Sequence, residues 1–262
     1  MLLYGLSTLY WLFLWRDGFR HHNRVNYCLL LLGFGFHTMA LLQRGFSLAR
    51  CPVNNLYEAT TFVAWTLLAA YLILGLWSPL RFLGAFASPI LLGMGIFALM
   101  PDMDPKTPPG VPQFTGGWLS VHAALVLLAY GSFGLSSVAG VMYLSQEHDL
   151  RFRKLRAVFS LLPPIQRLEQ LIGRLLGVGF VLLSVGLIAG AVFLKQTTGA
   201  FYKPDAKVWW SYLVWLLYFG LLIYRWRFHQ AGRRFVWGAV GSFAFLFLTF
   251  WGTNLLSGIH HQ

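Results

Sequence analysis

Residues 118–151 read WLSVHAALVLLAYGSFGLSSVAGVMYLSQEHDLR. From Trp118 to Ser145 no charged side chain interrupts the stretch, which is longer than the roughly 20 apolar residues a helix needs to cross a hydrocarbon core. A soluble helix of that length would carry a polar face. Within that uncharged part the only imidazole, His122, lies four residues past Trp118, close to one end. The stretch therefore reads as a membrane span with a histidine near its mouth.

The rest of the chain repeats the pattern. Of 262 residues, 57% are hydrophobic, 17% aromatic and 11% charged, and the mean hydropathy is +0.62. A soluble domain carries about 25% charged residues, so composition indicates an all-α, polytopic integral membrane bundle. Eight apolar runs are expected at about 1–15, 26–43, 58–76, 82–100, 118–145, 175–194, 208–224 and 235–255. The first lacks a basic leading region and a small-residue cleavage site before Arg16, so it is kept as a span rather than a removed signal. It is short and is expected to lean on its neighbours.

Net charge is +12, which in a soluble chain would suggest nucleic acid. Here the basic residues lie between apolar runs and read as topology determinants facing lipid headgroups, so no nucleic-acid partner is expected. Arg16, Arg20, Arg24, Arg81, Arg151, Arg153, Lys154, Arg156, Arg167, Arg174, Arg225, Arg227, Arg233 and Arg234 fall on one side. Arg44, Arg50, Lys106, Lys195, Lys203 and Lys207 fall on the other. The positive-inside rule then puts both termini outside. Cys28 and Cys51 are too far apart along a helix to pair, and there is no C-x-x-C for dithiol chemistry.

The outer segments are QRGFSLARCPVNNLYEA (43–59), PDMDPKTPPGVPQFTGGW (101–118) and KQTTGAFYKPDAKVWW (195–210). The first and third mix aromatic and basic residues, a composition that suits an amphipathic, anionic, planar ligand or an ordinary interfacial belt. The second reads as a turn-rich loop. The inner stretch EHDLRFRKLRAVFSLLPPIQRLEQLIGR (147–174) has helix-like pieces broken by Pro163 and Pro164, and is expected along the membrane surface. One domain, 1–262, is expected, without a separate soluble unit.

His21, His22, His148 and His229 stand beside arginines on the inner side and read as solvated. His37, in GFGFHTMALL (33–42), His122, His260 and His261 remain. Two imidazoles on opposite faces of one iron make a bis-His haem site, which needs no fixed spacing. The alternatives are a buried His122 hydrogen-bonding a neighbouring helix and a solvated terminal pair. Glu58, at the outer end of run three, either caps its helix or, with Tyr57 and Arg50, holds a loop in place.

Several of these stretches, in order, resemble the cytochrome c assembly protein family, the CcsA and HemX-like group of system II cytochrome c biogenesis. RCPVNNLYEATTFVAW resembles its P-x-x-N-L-Y-E segment, with Pro52, Asn55, Tyr57 and Glu58. WLSVHAALVLLAYGSF resembles its histidine-bearing helix. RLEQLIGRLLGVGFVLLSVGLIAGAVF is similar to its next helix, with G-x-G-F and G-x-x-x-G-A patterns, and NLLSGIHHQ resembles its terminal N-x-x-S-G-x-H. The resemblance covers about 44–262.

It implies a haem-handling protein of the bacterial inner (plasma) membrane. Such a protein would bind haem b transiently at the outer face and present it, with a CcsB-like membrane partner, to apocytochrome c, as a possible subunit of a cytochrome c haem lyase or synthetase. It puts iron ligands on His122 and His260, with His261 as a neighbour, and the macrocycle against Phe201, Tyr202, Trp209 and Trp210, near Asp205, Lys203 and Lys207. The family's W-G-x-x-W-x-W-D-P-K-x-x-W loop is degenerate here, retaining Asp205, Lys207 and Trp210, and Ile223 stands near the position of an expected inner histidine. His37 has a counterpart in HemX-like members. Two other functions remain open. A HemX-like, non-enzymatic regulator of haem biosynthesis would depend on the inner arginines rather than on His260. A small-molecule transporter is disfavoured because paired intramembrane charges and repeat symmetry are lacking.

Overall fold

The computed structural model describes residues 1–16, 24–48, 52–53, 55–100, 117–151, 163–199, 201, 206–228 and 232–256. Those residues form eight α-helices and no strand: α1 Leu2–Arg16, α2 Arg24–Leu48, α3 Leu56–Leu74, α4 Leu83–Ala98, α5 Gly117–Arg151, α6 Ile165–Thr198, α7 Ala206–Arg227 and α8 Gly232–Leu256, with a 3-10 turn at Ser78–Phe82 before α4. Each expected run has its helix, and in a bilayer helices satisfy every backbone group internally. By length and composition six of them, α2 to α7, can cross a membrane, and α1 contributes a shorter apolar helix, Leu2–Phe13. The chain is a polytopic helical membrane bundle.

The helices pack as two groups. α1 to α4 contact one another, α5 to α8 do the same, and α3 and α4 join the groups through α5. Lipid tails are as apolar as the side chains, so association relies on close approach and hydrogen bonds. A Cβ on Gly131 of α5 would collide with Thr66 of α3, and one on Gly179 of α6 would collide with the Phe133 ring. Thr66 Oγ1 reaches the Leu127 carbonyl across the α3–α5 seam at 3.3 Å. Along α5 and α6, Ser132 Oγ donates to Leu175 O at 2.8 Å and Ser136 Oγ to Ile172 O at 3.2 Å. Phe133 stacks on Tyr218 of α7 with centroids 3.6 Å apart.

The inner stretch departs from expectation. α6 begins at Ile165, directly after Pro164, so 165–174 is the start of the long helix rather than a separate surface segment. Proline is tolerated at a helix start, where its missing N–H costs no intrahelical bond. Leu168 and Ile172 are fully buried, and the Ser136 bond ties that turn to α5. The amphipathic stripe packs against protein instead of headgroups. Residues 152–162, including the rest of the basic inner loop, lie outside the described residues.

Candidate functional site

His122 stands on the second turn of α5, facing the small-residue stripe of α6. Its Nδ1 lies 2.7 Å from the carbonyl oxygen of Gly186. A carbonyl only accepts, so this nitrogen carries a proton and donates it to the bond. Gly190, one turn further along α6, makes room for the ring: a Cβ there would lie 2.7 Å from His122 Nδ1. The G-x-x-x-G-A pattern thus seats the histidine with one glycine's carbonyl and the other's missing side chain. The interhelical hydrogen bond anticipated as an alternative to metal ligation is present. It is also the bond that orients a ligating imidazole in metal sites, where the second ring nitrogen is held by a carbonyl.

Around the same end of α5 to α7, Trp118 and Trp209 are exposed. Lys195, in the last turns of α6, places Nζ 4.2 Å from the centroid of the exposed Phe201 ring. The left-handed Gly199 (φ 77°) closes α6 between them, its N–H bonding Lys195 O. Lys195 was not singled out from sequence, and its spacing from Phe201 becomes informative only with the helix end known. Trp210, by contrast, is buried, edge-on to Tyr130 at 6.3 Å, and its Nε1 donates to Thr249 of α8 at 2.8 Å. It holds α7 to α8. Lys207 lies in the first turn of α7. Tyr202, Lys203, Asp205, His260 and His261 lie outside the described residues.

The P-x-x-N-L-Y-E segment forms a separate constellation. Pro52 is buried. Asn55 caps α3, accepting from Glu58 N–H at 2.7 Å. Glu58 is fully buried and pairs with Arg44 Nε of α2 at 2.9 Å, and the Arg44 guanidinium lies 5.0 Å from the Tyr57 ring centroid. Glu58 was expected either to cap its helix or to join Arg50. It stands in the capped first turn, and the arginine bound to it is Arg44; Arg50 lies outside the described residues. The pair bridges two spans, from the last turns of α2 to the first turn of α3.

His37 is not brought to His122. Its Nδ1 bonds Tyr4 Oη of α1 at 2.9 Å, and it faces a cavity among α1 to α4. Among the described residues no cluster of three His, Cys, Asp or Glu side chains forms a metal site. His122 and His37 thus lie in separate surroundings, each held by a hydrogen bond at Nδ1.

A family model described as "Cytochrome C assembly protein" matches residues 53–260. Curated relatives named "Cytochrome c biogenesis protein CcsA" align over most of the chain. The protein of Guillardia theta is 28% identical over 96% of this chain and 89% of its own length. That of a Synechocystis species is 28% identical over 80% and 79%, and that of a Synechococcus species is 30% identical over 85% and 79%.

Proposed function

Because the chain belongs to the cytochrome c assembly protein family, and so is a membrane protein of cytochrome c biogenesis, we propose that it holds haem b at the outer membrane face and presents it for attachment to apocytochrome c. The His122 Nδ1–Gly186 carbonyl bond carries this reading. It keeps a proton on Nδ1, so that Nε2 is the nitrogen that would ligate, and gives a ring in a membrane protein a defined direction. His260 supplies the opposite axial ligand, with His261 as the adjacent alternative. Exposed Phe201 and Trp209 offer apolar faces to the macrocycle, and Lys195 and Lys207 supply positive charge for the propionates.

Haem, as cargo, brings the iron and the vinyl groups to which client cysteine thiols add. The chain contributes position. Two imidazoles fill both axial sites, an arrangement suited to carriage rather than oxygen chemistry. Holding the porphyrin edge toward a client converts an encounter in solution into an oriented one. A CcsB-like membrane partner completes the haem lyase, and the site belongs to the bacterial inner membrane.

The test is the reduced absorption spectrum of purified protein titrated with hemin, for wild type, His122→Ala, His260→Ala and His261→Ala. A bis-His Soret and alpha pattern lost in His122→Ala, and in one of the terminal variants, is expected. A spectrum indifferent to His122 contradicts the site.

A further inference from the structure

A second cavity lies at the opposite end of α6 from His122, between the first two turns of α6 and the last turns of α7. Its volume is about 530 Å³, within the range of about 300–1,000 Å³ typical of small-molecule sites. Gln166, Glu169 and Gln170 line it from α6, and Leu222, Arg225 and Trp226 from α7. The span formed by α7 ends at Arg227, and Trp226 is 77% exposed. A tryptophan between arginines at the end of a span marks the boundary between hydrocarbon and headgroups, so the cavity sits at headgroup depth.

Two charged side chains share this wall. Arg225 lies across Gly173, where a Cβ would stand 1.2 Å from Nη1. The same Nη1 donates to the carbonyl oxygen of Glu169 at 2.9 Å, and the Phe235 ring centroid is 5.3 Å from Cζ. These contacts fix the guanidinium without bringing it a counter-charge. Glu169 Oε1 accepts from Gly232 N–H at 3.2 Å, which holds the carboxylate but likewise leaves its charge. Among the described residues Arg225 and Glu169 form no ion pair, with each other or with any other side chain.

That combination selects the occupant. A phosphate alone would meet the Glu169 carboxylate, and a simple cation would meet the Arg225 guanidinium. A zwitterion with an anion and an N–H-bearing cation a few bonds apart gives each side chain a charge-assisted hydrogen bond. Phosphoethanolamine is such a group. Choline lacks the N–H donors, glycerol lacks the cation, and serine would add a second carboxylate beside Glu169. The surroundings also provide for a lipid's tails. From Gln170 the exposed face of α6 continues at helical spacing through Arg174, Val178, Val181 and Val185, an apolar strip that runs from the cavity into the span.

We propose that this cavity binds the headgroup of phosphatidylethanolamine, with its phosphate on Arg225, its ammonium on Glu169 and its acyl chains along Val178 and Val181. The site is independent of the haem-presenting reading, since it uses neither His122 nor the terminal histidines.

The experiment is native mass spectrometry of the full chain released from detergent, titrated with dioleoyl phosphatidylethanolamine, phosphatidylcholine or phosphatidylglycerol, and separately with soluble glycerophosphoethanolamine. One phosphatidylethanolamine is expected to bind at least about tenfold more tightly than either other lipid, the difference made by one charge-assisted hydrogen bond. Glu169→Gln keeps an oxygen for Gly232 N–H, and is expected to abolish the preference over phosphatidylglycerol. Gln170 lines the cavity and is exposed, so Gln170→Trp fills the site without repacking the core and is expected to weaken phosphatidylethanolamine binding by a similar factor. Both variants keep the wild-type helical circular dichroism, and because the readout is bound lipid mass it stands whether or not hemin binds. Three lipids of equal affinity, or a preference that survives Glu169→Gln, overturns the proposal. Glycerophosphoethanolamine that binds as tightly as the lipid overturns it too, assigning the cavity to a soluble phosphodiester.

Discussion

At the scale of the residue, His122 is defined by what holds it. Gly186 takes its Nδ1 proton and Gly190 yields it space, so substitution behind the ring tests the site without touching a ligand. Gly190→Val forces the ring off its seat, because even the Cβ would lie 2.7 Å from Nδ1. Altering such supporting groups weakens metal affinity about 10- to 100-fold. Hemin titration of Gly190→Val is therefore expected to show a loss of about that size with the helical circular dichroism unchanged, since Ser132 and Ser136 still tie α5 to α6. Affinity equal to wild type would mean that the ring's seat is irrelevant to haem. The sequence marked both His122 and the glycine pattern, but not that one serves the other: 64 residues separate His122 from Gly186, and only the α5–α6 register joins them.

Between elements, the Arg44–Glu58 pair fastens α2 to the capped start of α3. Glu58 is fully buried while Arg44 is partly exposed, so the two halves of the pair are not equivalent. Arg44→Met leaves a buried carboxylate without this partner and is expected to destabilise the bundle by about 3 kcal/mol, more than Glu58→Gln, which removes the charge that needed compensation. Thermal unfolding in detergent compares the two; equal midpoints would contradict the asymmetry. Sequence set Arg50 beside this acid. That Arg44 is the partner follows from α2 continuing to Leu48, which carries Arg44 on the helix beside α3. The same limit explains the misread start of α6. A stripe with Leu168 and Ile172 inward looks alike whether it meets lipid headgroups or another helix, and only the long inner extension of α5 supplies the second surface. The spans themselves were legible, because uncharged runs of that length have few other uses.

Over the whole molecule, two four-helix groups share the α3–α5 seam, with the His37 cavity in one and His122 in the other. The asymmetry of the basic residues predicts how the bundle sits in the bilayer. With Cys28 and Cys51 replaced by serine, a cysteine at exposed Phe201 should react with an impermeant maleimide from outside, and one at exposed His148 only from inside. The reverse pattern would invert the topology and move the haem site to the cytoplasm. The terminal histidines and most of the aromatic loop were visible as residue types alone, since their placement depends on segments outside the described helices. The measurement that tests the central claim most directly joins side and ligand in one experiment. Haem-loaded protein is reconstituted in vesicles of known orientation, and an impermeant reductant is added to the outside while the alpha band is followed. Immediate reduction without permeabilisation, with no bound haem in His122→Ala, is the predicted result; haem that is reduced only after the vesicles are opened, or that remains bound in His122→Ala, would contradict it.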